Sequence, residues 1–206
     1  MSPRRSRDDL KEVIRDFRRD QVVNVARRLF GERGTTDVSM DDIAAEAGVA
    51  RSTVYVYFAN RDELLRACLK GMHDQLLEDI AGSWAHDAQP GRRLEKLIEG
   101  LLKRIDDDPG FFRLALVTQG TPVLGGESLG TELALISLNI ARLIQELYLD
   151  GLSAGIFREI DPDEAVNLIG QQLYGVMAVR AGNPLPQPAS AVAADVCAFI
   201  LHGLAR

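Results

Sequence analysis

This 206-residue sequence has little cysteine, no long apolar run and no alternating pattern, and each absence closes off a class of protein. Its two cysteines, Cys68 and Cys197, lie far apart on apolar helical faces. That excludes a disulfide scaffold or a cysteine-based zinc site and fits a reducing cytoplasm. No run of about 18 apolar residues occurs, so no membrane span is expected. The start, Met1 to Asp9, carries charge with no apolar stretch behind it, so a secretory signal is not expected and a cytoplasmic location is. No period-two alternation bounded by turns is present, so no sheet is expected. The three histidines, His73, His86 and His202, fall on separate helices or helix ends without metal-ligand spacing. Neither a metal nor a cofactor is expected.

What the sequence does have is an ordinary globular composition, 46% apolar and 26% charged. A chain of this length buries roughly 70% of its unfolded surface. The net charge of -6 is unevenly spread. Residues 1–33 hold ten Lys/Arg against six Asp/Glu, whereas the remaining 173 hold fourteen against twenty-four. An acidic body with a basic front end can still meet a polyanion, because the local field decides contact.

Almost every segment reads as helix, about nine in all, three in front and six behind. Val22, Val25, Ala26, Leu29 and Phe30 repeat at three-four spacing before Gly34. Ser39-Met40-Asp41-Asp42 reads as a capping box, and Asn60-Arg61-Asp62-Glu63 opens a long helix reaching about His86. Gln89-Pro90-Gly91 reads as a loop, and a clean stripe from Leu94 to Ile105 follows it. Further helices are expected from Phe111 to about Gln119, from about Leu129 to Ala154, from Asp161 to about Ala181, and over about 189–204.

The informative window is Thr36 to Leu65. Two short helices there are joined by Gly48-Val49-Ala50, with glycine where the chain must turn left-handed. Ala44 permits a close, steep crossing, and Val49 and Val54 fill the space between the helices. This is helix-turn-helix geometry. Arg51, Ser52, Tyr55 and Val56 then lie on the outer side of the second helix, with groups suited to base edges. Thr53, Tyr57 and Arg61 carry donors suited to phosphate, and the helix opening at Ser39 offers free backbone amides.

Residues 22–69 strongly resemble the DNA-binding domain of the tetracycline-repressor (TetR) family. The resemblance rests on Ser39-Met40-Asp41-Asp42-Ile43-Ala44, Ala47-Gly48-Val49, Ser52-Thr53-Val54-Tyr55, Tyr57-Phe58 and Asn60 to Leu64. It implies an all-α fold, with an N-terminal three-helix helix-turn-helix domain and a six-helix domain that binds a ligand and dimerises. On that pattern residues 1–15 form a flexible basic arm, 16–62 the DNA-binding domain and 63–206 the ligand-binding and dimerisation domain. The family's DNA contacts carry over to Ser39, Arg51, Ser52, Thr53, Tyr55, Tyr57 and Arg61. Val56 departs from the pattern, standing where members often have His or another polar or aromatic group. The resemblance implies a homodimeric repressor, not an enzyme, released from a near-palindromic operator in double-stranded DNA by a small apolar effector.

Candidate ligand contacts are Trp84, Phe111, Phe112, Gln119, Asn139, Gln171 and Tyr174, the amides chosen because a polar group among apolar neighbours needs a partner. Candidate dimer contacts are Leu173, Met177, Val196 and Ile200 on the last two helices. Arg180 reads as an interface or surface ion pair, and Asp106 to Asp108 as a solvated helix end. Two other readings follow from the residues: an architectural or activating DNA binder with no ligand, and a hydrolase pairing Ser128 with His202. The second comes from Gly126-Glu127-Ser128-Leu129-Gly130, a G-x-S-x-G match lacking the strand that motif needs. Ser128 reads instead as a helix cap.

Overall fold

The computed structural model describes residues 7–84, 89–113, 126–182 and 186–204. Among them are eight helices and no strand: α1 (Arg7–Arg33), α2 (Met40–Glu46), α3 (Arg51–Tyr57), α4 (Arg61–Trp84), α5 (Pro90–Asp107), α6 (Gly126–Ser153), α7 (Pro162–Gly182) and α8 (Ala189–Leu204). Residues 109–113 begin a further helical stretch, and the rest of the helix expected up to Gln119 lies outside the described residues.

The front domain condenses on one apolar knot. Val22, Ala26, Leu29 and Phe30 of α1 meet Ile43 and Ala44 of α2, Val54 of α3, and Phe58 and Leu64 beyond it. All of these are buried. Each Val, Leu, Ile or Phe side chain among them contributes about 1.5–3 kcal/mol when removed from water, the alanines less. Gln21 Nε2 donates to the Ala47 carbonyl at 2.9 Å, tying α1 to the turn. The expectation of a flexible arm over residues 1–15 is corrected from Arg7 onward, because α1 starts there. Residues 9–21 of α1 are all exposed, so no core stripe marks this part of the helix.

In the back domain α5 is the central post, in contact with α4, α6, α7 and α8. Leu94, Leu97, Ile98, Leu101, Leu102 and Ile105 are all buried on it. Its first residue is Pro90, which corrects the expected loop. Proline fits a first helical turn because its missing N–H has no partner to lose there. Asp161 caps α7 as expected, its Oδ1 accepting from the N–H groups of Asp163 and Glu164 at 3.0 and 3.1 Å. Tyr148, fully buried, holds the α6–α7 connection. Its hydroxyl lies 2.9 Å from the Ile160 carbonyl and also accepts from the Ile160 N–H.

Arg180 and Asp106 are corrected as well. Arg180 is only 4% exposed and meets Asp106 through two bonds of 2.6 Å, so the pair clamps α7 to α5 inside one chain. The run Asp106 to Asp108 is not simply a solvated end: Asp108 lies 3.1 Å from Arg27 of α1. Beside that pair the two domains touch backbone to backbone. A Cβ added to Gly110 would fall 2.2 Å from the Gly31 carbonyl oxygen, and one added to Gly31 would fall 2.7 Å from the Phe111 nitrogen. Only glycines permit so close an approach.

Candidate functional site

The front face is built by two caps and one turn. Ser39 accepts from the Asp42 N–H at 3.1 Å while Asp42 accepts from the Ser39 N–H at 2.9 Å, a complete capping box. The Ser39 hydroxyl and backbone bonds hold the Asp42 carboxyl below its ordinary pKa. Gly48 turns the chain at φ +65°, and Val49 N–H donates to the Ala44 carbonyl at 3.0 Å. Val54 is fully buried and Val49 half-buried, filling the crossing as anticipated. Asn60 accepts from Glu63 N–H, and Glu63 returns to the Ala59 N–H at 2.7 Å, fixing the start of α4.

This scaffold leaves Ser39, Arg51, Ser52, Tyr55 and Val56 exposed, with Thr53 and Tyr57 half-buried beside them. Six of the seven carried-over positions, Ser39 through Tyr57, thus gather on the helix-turn-helix and its α2 entry. Arg51 is held 2.9 Å from Asp41 and lies over the Tyr55 ring, 5.6 Å from its centroid. Arg61 sits differently. It is half-buried and donates to the Thr35 carbonyl at 2.6 Å, bracing the entry to α2 from the start of α4. Arg19 is a further feature of the front domain. Its guanidinium stacks 5.1 Å from the Phe58 ring centroid.

The back domain holds a cavity of about 270 Å³ between α4, α5, α6 and α7. Its wall includes Met72 and Leu76 of α4, Leu101 of α5, Ile140 and Ile144 of α6, and Leu173 and Met177 of α7. Hydrogen-bonding groups come from His73, Ser137, Asn167, Gln171 and Tyr174, and among the described residues no Lys, Arg, Asp or Glu lines it. Small-ligand sites have this makeup, mostly apolar with a few polar anchors.

Of the seven sequence candidates, Phe112, Gln171 and Tyr174 line this cavity. Asn139 lies just behind it, its Nδ2 3.3 Å from Nε2 of the wall residue His73. Trp84 is corrected: its indole N–H donates to the Arg93 carbonyl at 3.1 Å, and the Arg93 guanidinium stacks on its ring. Phe111 is corrected too, being fully buried at the contact with α1. Gln119 lies outside the described residues. Sequence reasoning missed His73, whose signal was a polar residue between the apolar pair Met72 and Leu76 on α4.

The dimer candidates fare unevenly. Leu173 and Ile200 are buried within one chain, so neither is an exposed contact. Met177 lines the cavity, and Val196 is half-buried. The exposed apolar residues on the last two helices are Leu168, Tyr174, Val179 and Phe199. Ser128 lies inside the first turn of α6, which corrects its expected role as a cap, and no strand precedes it among the described residues. No described helix is long and apolar enough to cross a membrane.

A glycine-turned helix pair with an exposed outer face, mounted on a helical body, defines the helix-turn-helix class. Residues 22–68 match the family of bacterial regulatory proteins called the tetR family. The match covers the N-terminal domain and leaves the rest of the chain outside it. The HTH-type transcriptional regulator Rv1255c of Mycobacterium tuberculosis is 32% identical over 124 residues, which span 60% of each chain. The back domain's fold also recurs in solved structures. Regulator FadR of Bacillus subtilis in complex with stearoyl-CoA superposes with a TM-score of 0.77 at 22% identity, covering 90% of this chain and 98% of that one. A transcriptional regulator of Saccharomonospora viridis in complex with choline gives 0.78 at 18%, covering 91% and 97%.

Proposed function

We propose that this chain is a homodimeric transcriptional repressor that leaves its operator when a small, uncharged, largely apolar molecule enters the back-domain cavity. The observation that carries this reading is the pairing of two sites in one chain. A helix-turn-helix with an exposed polar face and a largely apolar cavity share one helix, α4, which starts at the first and walls the second. Arg51 and Ser52 read base edges. Thr53, Tyr57 and the amides at the start of α2 hold phosphates, and Arg61 sets the angle between α2 and α4. Two copies place their α3 helices in successive major grooves, about 34 Å apart. Occupancy of the cavity favours the state in which α4 holds the two heads at the wrong spacing.

The B. subtilis and S. viridis proteins hold stearoyl-CoA and choline respectively. The apolar floor favours an acyl-like or polycyclic group. An architectural binder without ligand input would have a solid back domain, so the cavity favours gating. The test is anisotropy binding to DNA flanking the chain's own gene, at two salt concentrations, with and without a library of uncharged apolar molecules. Tight binding to one near-palindrome, released by a library member, is expected. Only weak, salt-sensitive binding to every fragment would refute the reading.

A further inference from the structure

Helix α1 carries two apolar stripes, and the head uses one of them. Val22, Ala26, Leu29 and Phe30 pack into the head core. Leu10, Val13, Ile14 and Phe17, nearer the N-terminus, are exposed, Phe17 by 71%. At about 100° per residue, the two stripes point about 150° apart round the helix axis. Because α1 is one unbroken helix, the first stripe cannot turn onto the head while the second stays packed there. The exposed stripe also stands before residue 22, where the match to the family begins. An exposed apolar patch of this kind marks a contact surface.

Charge is sorted by sign on either side of the stripe. By the same rotation, Lys11 and Arg18 lie about 100° to one side of it, with Arg15 further round behind them. Asp9, Asp16 and Asp20 lie about 70–110° to the other side. All six are exposed. A lipid surface or a DNA backbone draws basic residues to it, and here it would meet the acidic flank as well. The face fits another helix with the flanks reversed, and a second α1 laid parallel supplies one. Rotation about a two-fold axis running along the pair sets the basic flank of each copy against the acidic flank of the other. An antiparallel copy would set like charge against like. Flanking charges select partner and orientation in paired helices in this way.

We propose that the N-terminal stripe of α1 is a surface for self-association, on which α1 of a second copy lies parallel and in register. It goes beyond the repressor reading and uses neither the cavity nor the faces of α7 and α8. Identical positions then meet across the pair, Leu10 against Leu10 and Phe17 against Phe17. The four apolar side chains of each copy leave water together. Lys11 and Arg18 of each copy stand over the acidic flank of the other. Where chains also pair through another face, this contact joins the pairs into larger assemblies. Four side chains a copy make a small contact, so it is read by trapping it rather than by mass alone.

The test is cross-linking of the full chain with bismaleimidoethane, a short thiol-to-thiol linker. Cys68 and Cys197 are buried, so an added surface cysteine carries the signal. Three single variants are compared: Leu10→Cys, Phe17→Cys and Glu12→Cys, the last on the far side of the helix. Leu10→Cys and Phe17→Cys are each expected to link to their own copies, giving a band of twice the chain mass on a denaturing gel. Glu12→Cys is expected to give none. An antiparallel pair would instead link only a mixture of Leu10→Cys with Phe17→Cys. That pattern, or linkage no stronger than that of Glu12→Cys, overturns the proposal. In the Phe17→Cys chain, adding Asp9→Lys/Asp16→Lys/Asp20→Lys makes both flanks basic, and loss of the band is expected. Adding Lys11→Glu/Arg15→Glu/Arg18→Glu to that variant restores opposite flanks and should restore the band. A band that ignores both sets of changes overturns the charge-sorted pairing. All these positions are exposed and outside the cavity wall, so failure here leaves the repressor reading in place.

Discussion

At the scale of single residues, Arg51 is restrained before any DNA arrives. Asp41 holds it from α2 and the Tyr55 ring lies beneath it, so its reach toward a base is already narrowed. Arg51→Ala is expected to weaken specific operator binding by about 1–3 kcal/mol while leaving random-sequence binding nearly unchanged, as anisotropy competition would show. Ser39→Ala removes the Asp42 cap and is expected to cost about 1 kcal/mol in chemical denaturation. Burial pushes the Cys68 thiol from its ordinary 9.0 up to about 12. The folded chain thus keeps a proton that the unfolded chain gives up. Stability is whole below pH 9 and falls as pH rises toward 12, and Cys68→Ala should flatten that fall in melts taken across the range. Ser39, Gly48 and Val54 were legible because caps and turns are settled within a few residues. Trp84 and Phe111 were not. Periodicity says which face of a helix is buried but not which neighbour lies against it, and the partners here are Arg93 and α1.

At the scale of elements, the Gly31–Gly110 contact fixes where α1 rests on the end of α5. Gly110→Ala forces a methyl against a backbone carbonyl and is expected to destabilise the chain by about 1–3 kcal/mol. Gly100→Ala, in α5 with open space around it, serves as the opposite control and should stabilise by about 0.5–1 kcal/mol in the same denaturation assay. Next to the glycines, burial raises the Asp108 carboxyl above its ordinary value, opposed by the Phe111 N–H and by Arg27. Helices α2 to α8 were legible because each carries a stripe, a cap or a stop. The first turns of α1 carry helical spacing too, in Leu10, Val13, Ile14 and Phe17, but that stripe faces solvent, so it marks a helix without marking a core.

At the scale of the whole molecule, charge and function are segregated. Ten of the basic residues fall in the first 33 positions, and the acidic excess lies in the remainder. Operator affinity is therefore expected to fall linearly on a log–log plot against salt, by about 0.9 per phosphate neutralised, despite the net charge of -6. If the two α3 helices sit one DNA turn apart, adding about five base pairs between half-sites should abolish tight binding, a shift readable by gel mobility. The front domain was legible down to its residues because its contacts are local. The cavity was not, because it depends on how α7 lies against α6 and α5.

The glycine contact also sets terms for anyone reshaping this chain as a biosensor. Phe112 belongs to the cavity wall, and Gly110, two residues earlier, is the point where the body bears on the front domain. A library that enlarges the cavity at Phe112 disturbs that bearing at the same stroke. Under the proposed repressor reading, ligand range and resting operator occupancy then move together at this end of the cavity. Ile144 and Val166, wall residues on α6 and α7, can be varied without touching the glycine contact.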